Sequence, residues 1–214
     1  MPPSVEPAAI VRSLTEFGVA TAHEALGRRG LLNGVHLMVG PAFAGPAATV
    51  FIPAGDNLGI HAAFRDASPG SVVCIASAGQ GAFGVLGDLL QAAANVRGIA
   101  GIVIDDGIRD LAQLAAPPSI AARTVSSRGT QKRRVLSIRE PVAVGGVLIR
   151  PGDWIVGDRD GVCVIPAARL DDLLAAARAR TDKEDGIRKA LLQGRTTVDV
   201  LGLSDLLEKG NARP

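Results

Sequence analysis

Three short, uninterrupted apolar runs set the tightest limit on the fold: "ATVFIP" (48–53), "SVVCIAS" (71–77) and "AGIVID" (100–105). Apolar runs of this length, bounded by turn residues, read as buried strands. Between them lie "DNLGIHAAFRDA" (56–67) and "LGDLLQAAANVRG" (86–98), whose apolar residues have helical spacing. The order gives two successive βαβ units. From about residue 135 to 166 the pattern changes to short β segments, "PVAVGGVLI", "DWIVGD" and "GVCVIP", joined by Gly, Pro and Asp turns as hairpins are. Residues 167–192 and 198–209 read as helical and rich in charge. At the other end, residues 4–17 carry Ile10, Leu14 and Phe17 at helical spacing and stop at Gly18. "TAHE" then opens a second helix in the form of a capping box, with Thr21 as cap and Glu24 reaching back. No internal repeat or low-complexity linker interrupts the chain. The expectation is one α/β domain over residues 1–214, with a core of about 20–166 and a helical C-terminal arm of about 167–214.

Composition removes several function classes. The 23 basic residues are spread among 21 acidic ones for a net charge of +2, so no electrostatic footprint for nucleic acid is present. With no Tyr, one Trp and five Phe, the chain also lacks platforms on which single-strand binders stack bases. Small aliphatic residues must build the core, and 47% hydrophobic content suffices for it. Cys74 and Cys163 sit in strand-like apolar runs without a CxxC or Cys/His neighbour, so they are expected to be buried, reduced thiols. No run reaches the roughly 18 apolar residues of a membrane span. The opening "MPPSVEPAAIVRSL" has no charged head followed by an apolar segment and cleavage site, and a cytoplasmic chain is expected.

Two glycine-containing stretches compete for a functional reading. Gly79, Gly81 and Gly84 in "GQGAFG" satisfy GxGxxG, after a strand and before a helix, with Asp105 and Asp106 about twenty residues on. That is the form of a dinucleotide fingerprint, and it keeps a nicotinamide-dependent enzyme as an alternative. Against it, the alternation of strands and helices stops after Asp110, too early for a Rossmann domain, and 26 glycines make a chance match easy. If the following helix instead starts near Gly87 and Asp88, its free first-turn N–H groups and positive dipole end make a site for a small carboxylate.

The distance from that helix start to "RD" is informative. A helix over residues 88–97 rises about 15 Å at 1.5 Å per residue. Gly98 turns the chain, and a strand over residues 99–105 returns roughly 20 Å at 3.3 Å per residue. The excursion nearly cancels. Asp88, Arg109 and Asp110 therefore meet at the carboxyl edge of the sheet, where open α/β folds place ligands. Two carboxylates beside one guanidinium suit a divalent cation such as Mg2+ together with a carboxylate or keto acid. The alternative is that Asp88 caps a helix and Arg109 pairs with Asp110 on the surface.

Aspartate, twenty residues, then Arg-Asp resembles the signature of the class II pyruvate aldolases that cleave 4-hydroxy-4-methyl-2-oxoglutarate and 4-carboxy-4-hydroxy-2-oxoadipate. Their relatives include the regulator of ribonuclease activity A. The similarity runs through "VATAHEALGRRGLL", "GDNLGIHAA", "SPGSVVCIA", "GDLL", "GIVIDDGIRD", "PVAVGGVLIRPGDWIVGDRDGVCVIP" and "KEDGIRKALLQG", in that order. It implies a swivelling β/β/α domain, assembled as a trimer or a hexamer, with active sites at subunit interfaces.

Carried over to this chain, the resemblance implies that Asp110 holds Mg2+ or Mn2+, partly through water, and that Asp88 helps to orient that water. Arg109 would bind the keto acid and offset enolate charge, and the backbone at Gly87, Leu89 and Leu90 would hold the pyruvyl carboxylate. Glu24 and Glu184 match acidic positions that a neighbouring protomer contributes. The implied reaction is retro-aldol cleavage to pyruvate and a second keto acid, with oxaloacetate decarboxylation as a side activity and aromatic-acid catabolism as the context. No lysine has an evident Schiff-base setting, which agrees with metal chemistry. The chain departs from the family at Pro117-Pro118-Ser119-Ile120, where relatives carry Pro-Val and an aromatic, and at Lys132 among extra arginines. This loop is expected to shape the pocket for the distal end of the substrate. His61 is expected to be packed or hydrogen-bonded rather than to ligate a metal. From another class, a non-catalytic regulator that binds a ribonuclease is the rival reading.

Overall fold

The computed structural model describes residues 6–211, so the expected helix start at Ser4 lies outside the described residues. The chain is α/β with a helical C-terminal arm, as the sequence pattern predicts. A sheet runs in the order β1 (His36–Val39), β6 (Ser119–Val125), β5 (Gly101–Ile108), β3 (Val72–Ser77), β2 (Phe43–Ile52), β10 (Trp154–Asp158) and β11 (Gly161–Ile165). The four strands β6, β5, β3 and β2 pair in parallel, and the outer strands are antiparallel. The segment before β1 also bonds to β11, through Leu32 N–H to Val162 O at 2.9 Å and Val164 N–H to Gly30 O at 2.8 Å. The two ends of the sheet are thereby drawn together and the sheet is nearly closed.

Closure explains the continuous apolar runs, because both faces of the central strands are covered. On β3, Val73 and Ile75 pack outward against α2 (Leu58–Asp66) and α3 (Asp88–Val96), together with Ile60, Phe64 and Leu90. Val72, Cys74 and Ala76 of the same strand face a second core. The hairpin β8 (Val142–Val144) and β9 (Val147–Ile149) contributes Val142, Val144 and Ile149 to that core. A third core joins α1 (Pro7–Ala25) and α4 (Leu170–Leu192) to β10 and β11. Beyond α4 the arm continues as α5 (Thr197–Leu201) and α6 (Ser204–Asn211). Both cysteines are buried and free, as expected. Among the described residues, no helix is long and apolar enough to cross a membrane.

Three sequence expectations are corrected. α1 does break at Gly18 (φ 74°), but the second half begins at Val19, whose N–H donates to Asp158 Oδ2 at 2.8 Å. A carboxylate remote in sequence therefore caps this helix, Thr21 does not, and Glu24 turns away to Arg28. The alternation of strands and helices does stop after Asp110, but the segment read as a loop around residues 117–120 holds a further parallel strand: β6 follows β5 without a helix between them, joined by a turn that Gln91 clamps through Ala115 N–H at 2.9 Å. The glycine loop after β3 leads into a strand, β4 (Gly84–Leu86), rather than into a helix.

An interior of small residues leaves room for few rings. Phe43 fills one such space, and a Cβ added at either Gly101 or Gly157 would collide with its ring. Gly101→Ala is expected to lower stability by about 1–3 kcal/mol, the usual range for overpacking a filled interior. The cost should shrink in a Phe43→Leu background. A urea-melt double-mutant cycle with additive costs would show that the ring is not what excludes the methyl group.

Candidate functional site

Asp106 organises the carboxyl edge of β5. It is wholly buried, and its carboxylate accepts from the Ser77 hydroxyl at 2.5 Å, Gly81 N–H at 3.0 Å, Phe83 N–H at 2.9 Å and Gly107 N–H at 2.9 Å. A Cβ at Gly79 would collide with the same carboxylate. The glycines thus wrap the chain's own anion, and Asp105 is engaged by Arg123. The dinucleotide reading fails on both counts: the loop is filled, and no helix starts from it to receive a pyrophosphate.

What the loop does is deliver β4. This strand pairs with the end of β5, Gly84 opposite Gly107 and Leu86 opposite Ile108, and Arg109 N–H donates to Leu86 O at 2.9 Å. α3 begins one residue later with Gly87 as its N-cap. The first intrahelical bond is Gln91 N–H to Gly87 O at 3.0 Å, so the N–H groups of Asp88, Leu89 and Leu90 precede the helical ladder and have no acceptor within it. Gly87 has ordinary extended backbone; its lack of a side chain is what matters. A Cβ there would collide with Asp110 Oδ2 and come within 3.2 Å of Arg109 Nε.

Of the sequence-predicted trio, Asp88 and Arg109 line one cleft, and Asp110 is paired to Arg109 beside Gly87 without itself lining it. Arg109 Nε lies 3.4 Å from Asp110 Oδ2, and the two side chains are 43% and 38% exposed. Asp110 is left-handed (φ 58°) and starts the turn that leads away from β5. Gly87, Asp88, Leu89, Leu90 and Arg109 line a cleft of about 100 Å³. Asp88 and Asp110 offer carboxylate oxygens, the donors that Mg2+ and Mn2+ favour. Among the described residues no group of three His, Cys, Asp or Glu side chains gathers.

Glu24 and Glu184 do not line this cleft. Arg180 brings them together elsewhere, with Nη1 at 3.7 Å from Glu24 Oε2 and Nε at 2.8 Å from Glu184 Oε1. They form a half-exposed acidic pair where α1 and α4 pack.

The cleft is also lined by Asn57 and Val85, which were assigned no role from sequence, by His61, and by Lys132 from the loop expected to shape the distal pocket. A signal for Asn57 and His61 existed, since "GDN" follows β2, and the end of a parallel strand lies on the same edge as the start of α3. His61 lines the cleft but is exposed, so the packed position expected for it is not what the structure shows; partial burial and then the Lys132 charge hold its imidazole below the usual histidine range. Lys132 comes from the loop that the family resemblance led us to expect at the pocket, although no periodicity around it foretells its place.

Comparisons with known proteins follow the same lines. The family model described as "RraA-like: Aldolase/RraA" matches residues 19–164. A protein of Halalkalibacterium halodurans, provisionally named a 4-hydroxy-4-methyl-2-oxoglutarate aldolase, is 37% identical over 166 residues, covering 77% of each chain. Among solved structures, Streptomyces coelicolor RraAS2, described as an unusual member of the RNase ES inhibitor RraA family, superposes with a TM-score of 0.75 at 30% identity. That match covers 85% of this chain and 98% of RraAS2. An uncharacterised protein of Pseudomonas syringae pv. tomato gives a TM-score of 0.78 at 25% identity, covering 94% and 97%.

The carboxylates of this edge should separate by role. Asp106→Ala strands four donors and is expected to cost at least about 3 kcal/mol, given about 1–3 kcal/mol for a buried group left unpaired. Asp88→Asn and Asp110→Asn should each change stability by less than about 1 kcal/mol, as exposed substitutions do. Denaturant midpoints that rank the three alike would remove the distinction between a structural and a functional carboxylate.

Proposed function

Since this chain belongs to the RraA-like Aldolase/RraA family, we propose that it is a divalent-metal-dependent lyase that splits 4-hydroxy-4-methyl-2-oxoglutarate or 4-carboxy-4-hydroxy-2-oxoadipate into pyruvate and a second keto acid. The observation that carries this reading is the cleft lined by Asp88, Arg109 and the first turn of α3, with Asp110 paired to Arg109 beside Gly87. A Mg2+ or Mn2+ ion held by Asp110, with Asp88 beside it, would supply Lewis-acid polarisation of the substrate's 2-keto group.

The residues of the chain divide the remaining work. The Leu89 and Leu90 amides hold the pyruvyl carboxylate at the positive end of the helix dipole. Water positioned by Asp88 takes the C4 hydroxyl proton. The C4–O bond becomes a carbonyl, the C3–C4 bond breaks, and its electron pair forms the enolate of pyruvate. Arg109 faces the negative charge that develops on the C2 oxygen, where a preorganised donor acts most strongly. A proton returned to C3 completes pyruvate. Loss of CO2 from oxaloacetate passes through the same enolate, so oxaloacetate decarboxylation accompanies the main activity.

Glu24 and Glu184 enter through a second copy of the chain. They lie outside the cleft of their own protomer and are already gathered by Arg180, which suits a trimer or hexamer in which one subunit completes the site of the next. The similarity to RraAS2 favours a second reading, a regulator that binds a ribonuclease without catalysis.

Pyruvate release from 4-hydroxy-4-methyl-2-oxoglutarate and from oxaloacetate, coupled to a lactate dehydrogenase readout, tests the main reading. Turnover should require Mg2+ or Mn2+, disappear with EDTA, and fall at least about a hundredfold in Arg109→Ala, the scale of losing one charge-stabilising donor. Asp110→Ala should abolish the metal response. Mixing Arg109→Ala with Glu184→Gln subunits should restore part of the activity if sites are shared between protomers. A folded, metal-loaded protein that turns over neither substrate yet retains a ribonuclease in a salt-resistant, saturable pull-down would establish the regulator instead.

A further inference from the structure

The cleft has a second wall that the mechanism above leaves idle. Asn57 is 5% exposed, and its Nδ2 donates to Val85 O at 2.9 Å, which fixes the orientation of the amide. Oδ1 is then a buried acceptor with no hydrogen-bond partner, on a residue that lines the cleft. An acceptor stranded in this way is costly, so it is a place where a bound donor gains more than it would elsewhere.

Lys132 lines the same cleft, and its charge acts on His61. Its position is built rather than left to a loose loop. Gln131 N–H donates to Gly55 O at 2.8 Å, and Asn57 N–H donates to Gln131 O at 3.0 Å. On the other side of Lys132, the Asp56 carboxylate accepts from Arg133 N–H at 2.7 Å and Arg134 N–H at 3.1 Å, while its other oxygen caps α2 through Leu58 N–H at 2.9 Å. Burial alone would raise the Asp56 carboxyl, but these N–H donors outweigh it and hold the group below the usual carboxylate range. A backbone latch on each side thus sets the lysine at the mouth of a site that already carries an anion cradle at Leu89 and Leu90.

Two separate cationic devices and one orphaned acceptor call for a ligand with two carboxylates and a hydroxyl. We propose that Asn57 and Lys132 form the subsite for the C4 end of the substrate, Lys132 pairing with a second carboxylate on C4 and Asn57 Oδ1 accepting the C4 hydroxyl. This assignment rests on the aldolase reading and adds to it the residues that select among 4-hydroxy-2-keto acids. A substrate with hydrogen or methyl in place of the carboxylate would leave Lys132 unpaired, and a ligand without the hydroxyl would leave Oδ1 empty. His61 is not itself the cation of this wall, since its imidazole is held toward the neutral form.

The test compares kcat/KM for 4-hydroxy-4-methyl-2-oxoglutarate with that for 4-hydroxy-2-oxopentanoate, which has no C4 carboxylate, and adds deuterium exchange of the pyruvate methyl protons, which needs no C4 group. Lys132→Met should lower the ratio of the two kcat/KM values at least about tenfold, mainly through KM of the dicarboxylate. Lys132→Arg should keep most of the ratio, because a cation remains. Asn57→Ala should reduce cleavage of both hydroxy acids at least about tenfold more than it reduces methyl exchange, as expected when a hydroxyl-specific contact is lost. An unmoved ratio in Lys132→Met, or equal losses of cleavage and exchange in Asn57→Ala, overturns the assignment while the aldolase reading stands. Wild-type protein with neither cleavage nor exchange overturns that reading itself.

Discussion

The carboxylate of Asp106 is the interaction on which the working edge of the molecule depends. A buried anion is tolerated only when its lone pairs are filled, and this one is filled by the Ser77 hydroxyl, two backbone N–H groups of the glycine loop and the N–H of the adjacent Gly107. Satisfying it folds residues 77–84 back onto β5. That fold-back lets β4 pair with the end of β5, and the pairing sets the N-terminus of α3 against Arg109. The geometry of the candidate site is therefore a consequence of one internal charge being satisfied by hydrogen bonds from groups 23 to 29 residues away in sequence.

Much of this order was readable before any coordinates, because it rests on local periodicity. The apolar runs at 71–77 and 100–105 became β3 and β5, and the helical segment between them became α3 with Gly87 as its cap. The meeting of Asp88 with Arg109 and Asp110 followed from comparing the rise of a helix with that of a strand. The strand itself is shifted, Gly101–Ile108, so that Arg109 leaves directly from its end. The failures share a different cause. Asp158 caps the helix at Val19 across 139 residues, and Asp106 fills the glycine loop. Each is a long-range polar contact, and nothing in the spacing around Thr21 or Gly79 distinguishes it from its local competitor. The direct parallel step from β5 to β6 is of the same kind, since a crossover without a helix leaves no periodic trace.

The charged groups of the chain fall into two territories. Asp88, Arg109 and Asp110 belong to the carboxyl edge of the parallel strands, whereas Glu24, Arg180 and Glu184 belong to the packing of α1 on α4. Surface ion pairs of the second kind add little to stability, about 0–1 kcal/mol each. Two glutamates held by one arginine, half-exposed, are accordingly hard to explain as a device for holding the fold. Their placement is what the proposed sharing of sites between protomers requires, and α3 exposes two apolar side chains, Leu89 at 81% and Val96 at 88%.

Two latches serve the cleft, and they are independent of each other. Asp106 ties down the segment that carries Gly87 toward Arg109, and Asp56 ties down the segment that carries Lys132. The Asp56 latch holds only backbone N–H groups, which every residue but proline possesses, so it does not dictate which side chains its segment displays, whereas the Asp106 latch requires the Ser77 hydroxyl and a glycine at 79. A lineage could exchange residue 132 and its neighbours repeatedly, trying one ligand after another, while the bond-breaking end stayed fixed. An architecture that separates the two in this way can diversify by drift in a single loop.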